Sequence, residues 1–425
     1  MQDSTTSLRF AGDVSLRQVR LHSLNGQVAN VINQVESISI YEDIFSSFIT
    51  LSIVLRESID YLNLFPFIGE EYVDIDIVTP GTDKPIIGKF YIYKIEDREY
   101  TQEREVVYII KAISEEYLVD ANNKISKAYS GSISENVFKL LGKEGLNTKK
   151  KTLVQTTSNV TKFVAAFWSP VKCINYLSTN AVSQKKSPSY LFYENREGFN
   201  FKAIDDLLMD KTYHTFTKDN YTRTEVDTSG GVGSVKDPNE DYKRVLGLSI
   251  PVVTDYMNDI QTGRLKSKMI SYDIVTKKYT AKDYSVKKDP LPATLLNPNP
   301  GYSKYATTNS SSTMITMPRY YNNFSNFTDV TNAKTVQKRM SFFQNLNKFR
   351  VTIEVLGRTD YTIGQVVELN IPKAGIIVKT DSDPRDLMIS GRYLVSAVSH
   401  YINRENHTCT LELIKNSTLT DLSKA

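Results

Sequence analysis

The chain has 425 residues, 40% of them hydrophobic and 24% charged. That is ordinary globular composition, which excludes a disordered, collagenous or disulfide-stapled protein and suggests about three domains. Lys+Arg of 52 against Asp+Glu of 48 leaves a net charge of +4 with no basic block, and two cysteines with four histidines give no disulfide framework and no zinc-ligand spacing.

The start, Met1-Gln-Asp-Ser-Thr, has no cationic segment followed by an apolar one, so no secretory signal peptide is expected. The longest apolar run, Phe163 to Trp168, is far short of the ~20 residues of a membrane helix. The protein is therefore expected to be made as a soluble cytoplasmic chain. Its 26 Tyr and 18 Phe, with many Val, Ile and Thr, favour strands.

Residues 1–118 read as a first β domain. Val14 to Leu21, Ile38 to Tyr41 and Phe48 to Leu55 are strand candidates, with a helical stretch around Ile59 to Phe65. In Gly69 to Ile77, apolar Val73, Ile75 and Ile77 alternate with Asp74 and Asp76, the period of a half-buried strand. Gly88 to Ile95 and Glu105 to Ile113 form a hairpin whose polar connection, Glu96 to Arg104, is expected to project as a loop.

Residues 119–245 read as an inserted α+β domain. Ser132-Ile-Ser-Glu135 has capping-box spacing ahead of Val137, Phe138, Leu140 and Leu141. Ser169-Pro170 opens a second helix, whose buried face is expected to hold Val171, Ile174, Leu177 and Ala181. Tyr190 to Tyr193 returns through Glu194–Gly198 into Phe199–Phe201, and Ala203 to Met209 is a short helix candidate. The glycine-rich run Thr228 to Glu240 reads as a mobile loop, since no Gly-Lys-Ser/Thr follows it. Residues 246–330 are a mixed segment, with a strand at Leu265 to Tyr272 and a long irregular stretch at Pro290 to Ser312. Residues 331–425 open with a helical Asn332 to Leu346 and read as a second β domain with a C-terminal tail.

That last block repeats the first. Phe48–Leu55 aligns with Phe349–Leu356, Gly69–Ile77 with Gly364–Ile371 after a one-residue shift, Gly88–Ile95 with Gly391–Val398, and Val106–Ile113 with Cys409–Ile414. Four elements in one order point to duplication. The fold class expected is β-rich α+β: two antiparallel β-barrels in one chain, which protect their edge strands, with an α+β domain inserted between them.

No motif of catalysis is present: no His-Glu-x-x-His, Gly-x-Ser-x-Gly, Walker loop or dinucleotide fingerprint. Adjacent acids such as Glu70-Glu71 and Asp205-Asp206 diverge on either regular structure. His22 and His214 stand alone. His400 and His407 flank the last hairpin's connection and read as a solvent-exposed pair, and two ligands make no zinc site. Cys173 and Cys409 read as core. The sequence thus assigns no catalytic, cofactor-binding or metal residue, no cofactor and no enzymatic activity.

Ile389 to His400 followed by Thr408 to Ser417 resembles the C-terminal hairpin of baseplate central hub proteins of contractile-tailed phages. Tyr361 to Pro372 is similar to their glycine-started barrel strand, Ser189 to Phe201 to the aromatic hairpin of their middle domain, and Asp255 to Thr280 to a further hub segment. The hub part of type VI secretion spike proteins is related. The resemblance implies two tail-tube-like barrels per chain and a homotrimer presenting six barrels as a pseudo-sixfold ring. Such a ring joins a hexameric tail tube to a trimeric spike and templates the tube. The partners implied are a tail spike protein, a tube or tube-initiator protein, other baseplate proteins and the tape measure protein, with no sequence-specific nucleic acid and no integral membrane segment. The place implied is the virion's tail baseplate, after synthesis in the host bacterial cytoplasm. Only a short tail follows Ser417, so the spike is expected to be a separate polypeptide. Glu96–Arg104, Tyr401–Thr408, 228–240 and 290–312 are the contact arms expected from length and polarity. A tail-associated cell-wall hydrolase and a glycan-binding host-recognition protein are the competing readings.

Overall fold

A computed structural model describes residues 8, 10–64, 67–102, 104–218, 238–251, 255–273, 277, 279–286, 288, 294–301, 313–319, 335–374, 383–404 and 406–422. Its dominant feature is one curled, mainly antiparallel sheet of thirteen strands. Numbered along the chain these are β1 (Ser15–His22), β2 (Val28–Asn30), β3 (Val35–Asp43), β4 (Thr50–Glu57), β5 (Tyr72–Val78), β6 (Ile86–Gln102), β7 (Glu105–Ser114), β8 (Thr212–Thr217), β9 (Val245–Ser249), β10 (Phe349–Leu356), β11 (Val366–Asn370), β12 (Gly391–Asn403) and β13 (His407–Lys415).

Alternation builds these strands. In β5, Val73, Ile75 and Ile77 are buried while the intervening aspartates are not. In β10 the buried set is Phe349, Val351, Ile353 and Val355. Each such isoleucine or valine contributes roughly 1.5–3 kcal/mol by leaving water. The sheet covers two apolar cores, one gathered around Ile38, Ile53, Ile75 and Ile110, the other around Ile353, Val367, Val398 and Leu413.

The two halves have the same pairing order. β3-β4-β7-β6-β5 in the first corresponds to β9-β10-β13-β12-β11 in the second. Two irregularities recur in the same places. β3 shifts register against β4 between Val35 and Ser37, as β9 does against β10 between Val245 and Gly247. β6 shifts against β7 between Ile92 and Lys94, as β12 does against β13 between Val395 and Ala397. Matching ladders correct one alignment: Leu51 opposes Ala112 and Val351 opposes Leu413, so Leu51 corresponds to Val351. Aligning Phe48 with Phe349 is one residue out, a slip that would turn every side chain of the strand to the wrong face. The halves differ at one edge, where β1 runs antiparallel to β5 but β8 runs parallel to β11.

Between the halves lies a third core. Helix Ile133–Leu141 is capped by Ser132, whose hydroxyl accepts from the Glu135 amide at 3.2 Å. Helix Pro170–Asn180 is capped by Ser169 and buries Val171, Ile174 and Leu177, with Ala181 just beyond it. Both pack with the hairpin Tyr190–Asn195/Gly198–Ala203.

Several expectations change. The projecting loop Glu96–Arg104 is strand almost throughout, because β6 runs to Gln102 and β7 begins at Glu105. Tyr401–Thr408 is also mostly ladder, with β12 reaching Asn403 and β13 starting at His407. The helical stretch Ile59–Phe65 is a single turn, Tyr61–Leu64. Of the irregular stretch 290–312, residues 290–293 and 302–312 lie outside the described residues. Residues 294–301 are pinned to the C-terminal segment: the Leu296 amide donates to Asn416 Oδ1 at 3.1 Å and the Asn297 amide to Ser417 Oγ at 2.7 Å. The glycine-rich run 228–237 also lies outside the described residues.

Candidate functional site

Two features of the large sheet stand apart from its repeating cores: a seam where the halves meet, and open strand edges.

The seam is the pairing of β12 with β3, from Ala397 opposite Asp43 to Asn403 opposite Ser37. β12 is long enough to serve two neighbours on one side. Its first residues, Gly391–Leu394, pair with β11, and its outer part takes β3. Ile402 and Ile38 meet there and are buried. Polar groups lock the same place. The Glu42 carboxylate accepts from the Thr362 hydroxyl and from the Ile363 amide. Burial pushes that carboxyl up to about 7, against those hydrogen bonds and the field of Arg196. Thr79 and Thr359 exchange amide-to-hydroxyl bonds at 3.1 and 3.0 Å, tying the first half to the second.

The middle region is fixed by a second buried cluster. Lys150 Nζ lies 2.7 Å from Glu116 and 2.6 Å from Glu194. Glu194 Oε2 also accepts from the Ile49 amide at 3.0 Å and from Ser114 Oγ at 2.6 Å. Lys150→Met leaves two buried carboxylates without their cation. After discounting for the partial exposure of Lys150, we expect a loss of about 2 kcal/mol in urea unfolding. A loss under about 0.5 kcal/mol would mean that the cluster is not stabilising.

The edges follow from the repeat. In the first half, β6 corresponds to β12, and its outer stretch from Lys94 to Gln102 pairs with β7 on one side only. No strand covers its other side among the described residues. β9, the counterpart of β3, is the terminal strand of the sheet. By ladder equivalence Tyr100 corresponds to Ile402 and Leu248 to Ile38. Ile402 is 1% exposed, Tyr100 70%. Among the described residues the internal seam thus has an unfilled counterpart, with Tyr100 of β6 and Leu246 of β9 both exposed.

His400 and His407 are buried, contrary to the exposed pair expected, and Cys409 lies with them. Cys409 opposes His400 across the ladder, and His407 lies two residues before it on the same face of β13. His400 Nδ1 is 3.1 Å from His407 Nε2, and Cys409 Sγ is 3.1 and 3.4 Å from those two atoms. Burial pushes His400 down to about 4 and His407 well below its ordinary value, and it raises the Cys409 thiol. His22 lies elsewhere, beside Asp74 at 2.9 Å and stacked on Tyr72. His214 faces the Tyr242 carbonyl. Cys173 belongs to the middle core.

The described concavity with an empty volume of about 260 Å3 is lined by apolar side chains including Ile250, Val351, Met388 and Tyr393, and by Arg350. Among the described residues no helix is long and apolar enough to cross a membrane.

No protein-family model matches the chain, and no curated protein matches it in sequence. Solved structures do. The tail protein from Neisseria meningitidis MC58 superposes with a TM-score of 0.55 at 11% identity, over 94% of this chain and 96% of that one. The 43 kDa tail protein of prophage MuSo2 from Shewanella oneidensis gives 0.55 at 8% identity, over 94% and 98%. A component of the E. coli type VI secretion system, described as structurally similar to bacteriophage T4 tail proteins, gives 0.47 at 10% identity, over 95% and 77%. At these identities the likeness is one of fold, and it runs nearly end to end: this chain has the β-rich fold of phage tail proteins.

Proposed function

From a chain with the fold of phage tail proteins, we infer a structural, non-enzymatic baseplate hub of a contractile tail. Three copies close into a pseudo-sixfold ring that joins the hexameric tail tube to the trimeric spike and templates the tube. The barrel-like domains are 1–118 and 331–425, with 119–245 inserted but lending β8 to the second sheet, and 246–330 completing the middle and second domains. One observation carries the reading: each chain holds two equivalent half-sheets, joined through β12–β3, while among the described residues no strand covers the equivalent β6 edge or the outer side of β9. Pairing β6 of one copy with β9 of the next repeats the internal seam between chains, so six half-sheets alternate around a ring. Such closure also removes exposed edges that otherwise template aggregation. The ring's two faces then seat the tube or its initiator and the spike, with other baseplate proteins and the tape measure protein as further neighbours, in the virion tail.

Light scattering over a concentration series, with negative-stain imaging, tests this. The expected particle has three times the chain's 48.2 kDa and six lobes. Tyr100→Asp leaves a folded monomer, since Tyr100 is already exposed. It buries a charge in the new seam and raises the dissociation constant by about tenfold or more. A wild type that stays monomeric, both alone and co-expressed with the spike, overturns the reading.

A further inference from the structure

We propose that His400, His407 and Cys409 form a binding site for one thiophilic transition-metal ion, Zn2+ or Cu+, clipped beneath the seam. The three donor atoms, Nδ1, Nε2 and Sγ, face one another at 3.1, 3.1 and 3.4 Å. An ion with nitrogen ligands at ~2.0–2.1 Å and a sulfur at ~2.3 Å, in tetrahedral geometry, needs N···N and N···S edges of roughly 3.3 and 3.6 Å. The triangle is tighter than that, and an expansion of a few tenths of an ångström brings it to that geometry.

Protons alone do not account for the arrangement. A neutral imidazole nitrogen has either one N–H or one in-plane lone pair. Two such nitrogens and one thiol, a weak donor and weak acceptor, in mutual contact make at most two well-aligned hydrogen bonds among three contacts, in a site with no exposure. A cation at the centre satisfies all three donors at once. Both inner nitrogens then carry lone pairs and both outer nitrogens carry protons. The Tyr361 carbonyl lies near the His400 imidazole, but the outer nitrogens, His400 Nε2 and His407 Nδ1, make no hydrogen bond at normal geometry. The Arg358 backbone works toward thiolate at Cys409, against the larger effect of burial, which raises the thiol. Asp360, itself paired with Arg358, and Glu42 bear on that thiol, while Arg196 bears on His400.

The space is reserved by a specific residue. A Cβ at Gly357 would fall 2.3 Å from the His407 ring, so only glycine lets the ring enter. The first half-sheet uses the corresponding positions differently. There Val106 and Tyr108 stand where His407 and Cys409 do, and the Tyr108 hydroxyl donates to Glu57 at 2.8 Å. The duplicated frame thus carries an ordinary buried hydrogen bond in one copy and a His2Cys donor set in the other. Because His400 pairs with Cys409 on one side and with Ile40 of β3 on the other, the ion would tie the β12–β13 hairpin together directly under the strand that joins the halves. A soft sulfur with two imidazoles selects zinc or copper over magnesium or calcium.

The test uses the full chain, purified without chelator or affinity metal. Elemental analysis is expected to find about one equivalent of zinc or copper after dialysis. Chelation under denaturant, refolding and addition of Co2+ should give a near-ultraviolet sulfur-to-cobalt charge-transfer band with visible ligand-field bands. Cys409→Ser loses the charge-transfer band and Cys173→Ser keeps it, which separates the two thiols. The metal raises Tm of the wild type by about 3 °C or more. Should Cys409→Ser fail to fold, the wild-type band and its retention in Cys173→Ser still decide the matter. Wild-type protein without bound metal, without a cobalt charge-transfer band and with a Tm indifferent to zinc and to copper overturns the site. A band lost in Cys173→Ser but kept in Cys409→Ser does so too.

Discussion

Gly198→Ala is expected to lower stability by about 4 kcal/mol, with an unchanged m-value and a reduced urea midpoint. Gly198 turns the hairpin of the middle region at φ +131°, where an L side chain is strained by roughly 1–3 kcal/mol. The added Cβ would also lie 2.1 Å from the Lys151 carbonyl oxygen, a backbone atom. That carbonyl has little freedom to retreat, because it accepts the Phe199 amide at 2.9 Å and the neighbouring Thr152 pairs with Phe199. Overpacking of this kind adds roughly 1–3 kcal/mol. The damage should reach the large sheet through Glu194, which stands next to the turn and accepts from Ile49 and Ser114. A loss below about 1 kcal/mol would mean that the hairpin relaxes freely and does not anchor the middle region.

The second large effect is a pH dependence held by Glu42. Its carboxyl is raised from 4.5 to about 7 by burial in the seam. The folded state therefore keeps a proton that the unfolded chain releases above pH 4.5. A raised folded pKa gives stability that is complete below the unfolded value and is lost as pH climbs through the folded one. Between pH 4.5 and 7 the wild type should lose about 3 kcal/mol relative to Glu42→Gln, which has no proton to release there. His400 and His407, held neutral, act in the opposite direction as pH falls below their ordinary value. They are present in both proteins, so the difference between the two unfolding curves isolates Glu42. Curves that run parallel from pH 4.5 to 7 would place Glu42 as a solvated, ordinarily charged carboxylate.

The duplication was legible in the sequence because it is written in period-2 alternation and in glycines that open strands. Its register was not. Phe48 and Phe349 look like matching landmarks, yet the ladders set Leu51 against Val351, since pairing follows the buried face and not the aromatic nearest the strand's start. The full length of the strands is also not legible. Residues 96–102 form strand yet are charged and polar, and a polar run without apolar alternation reads as loop. The same error hid the His2Cys triangle. His407 and Cys409 are two apart, which places them on one face of any strand. His400 joins them only if the ladder continues to Asn403 and turns within a few residues, as it does. Reading Tyr401–Thr408 as loop left the histidines exposed and the cysteine alone. The seam's Glu42 carries no local sequence signal, because it gets its role from residues remote in the chain, Thr362 and Ile363.

That remoteness bears on how the protein is made. β3 has finished by Asp43, but the strand that covers its outer edge ends at Asn403. At a ribosomal speed of ~5–20 residues per second, the edge waits roughly 20–70 s for its partner. During that interval a neighbouring nascent chain offers the same β12 sequence sooner than the chain's own ribosome does. Crowded synthesis of this protein should therefore favour exchanged seams, in which β3 of one molecule is closed by β12 of another.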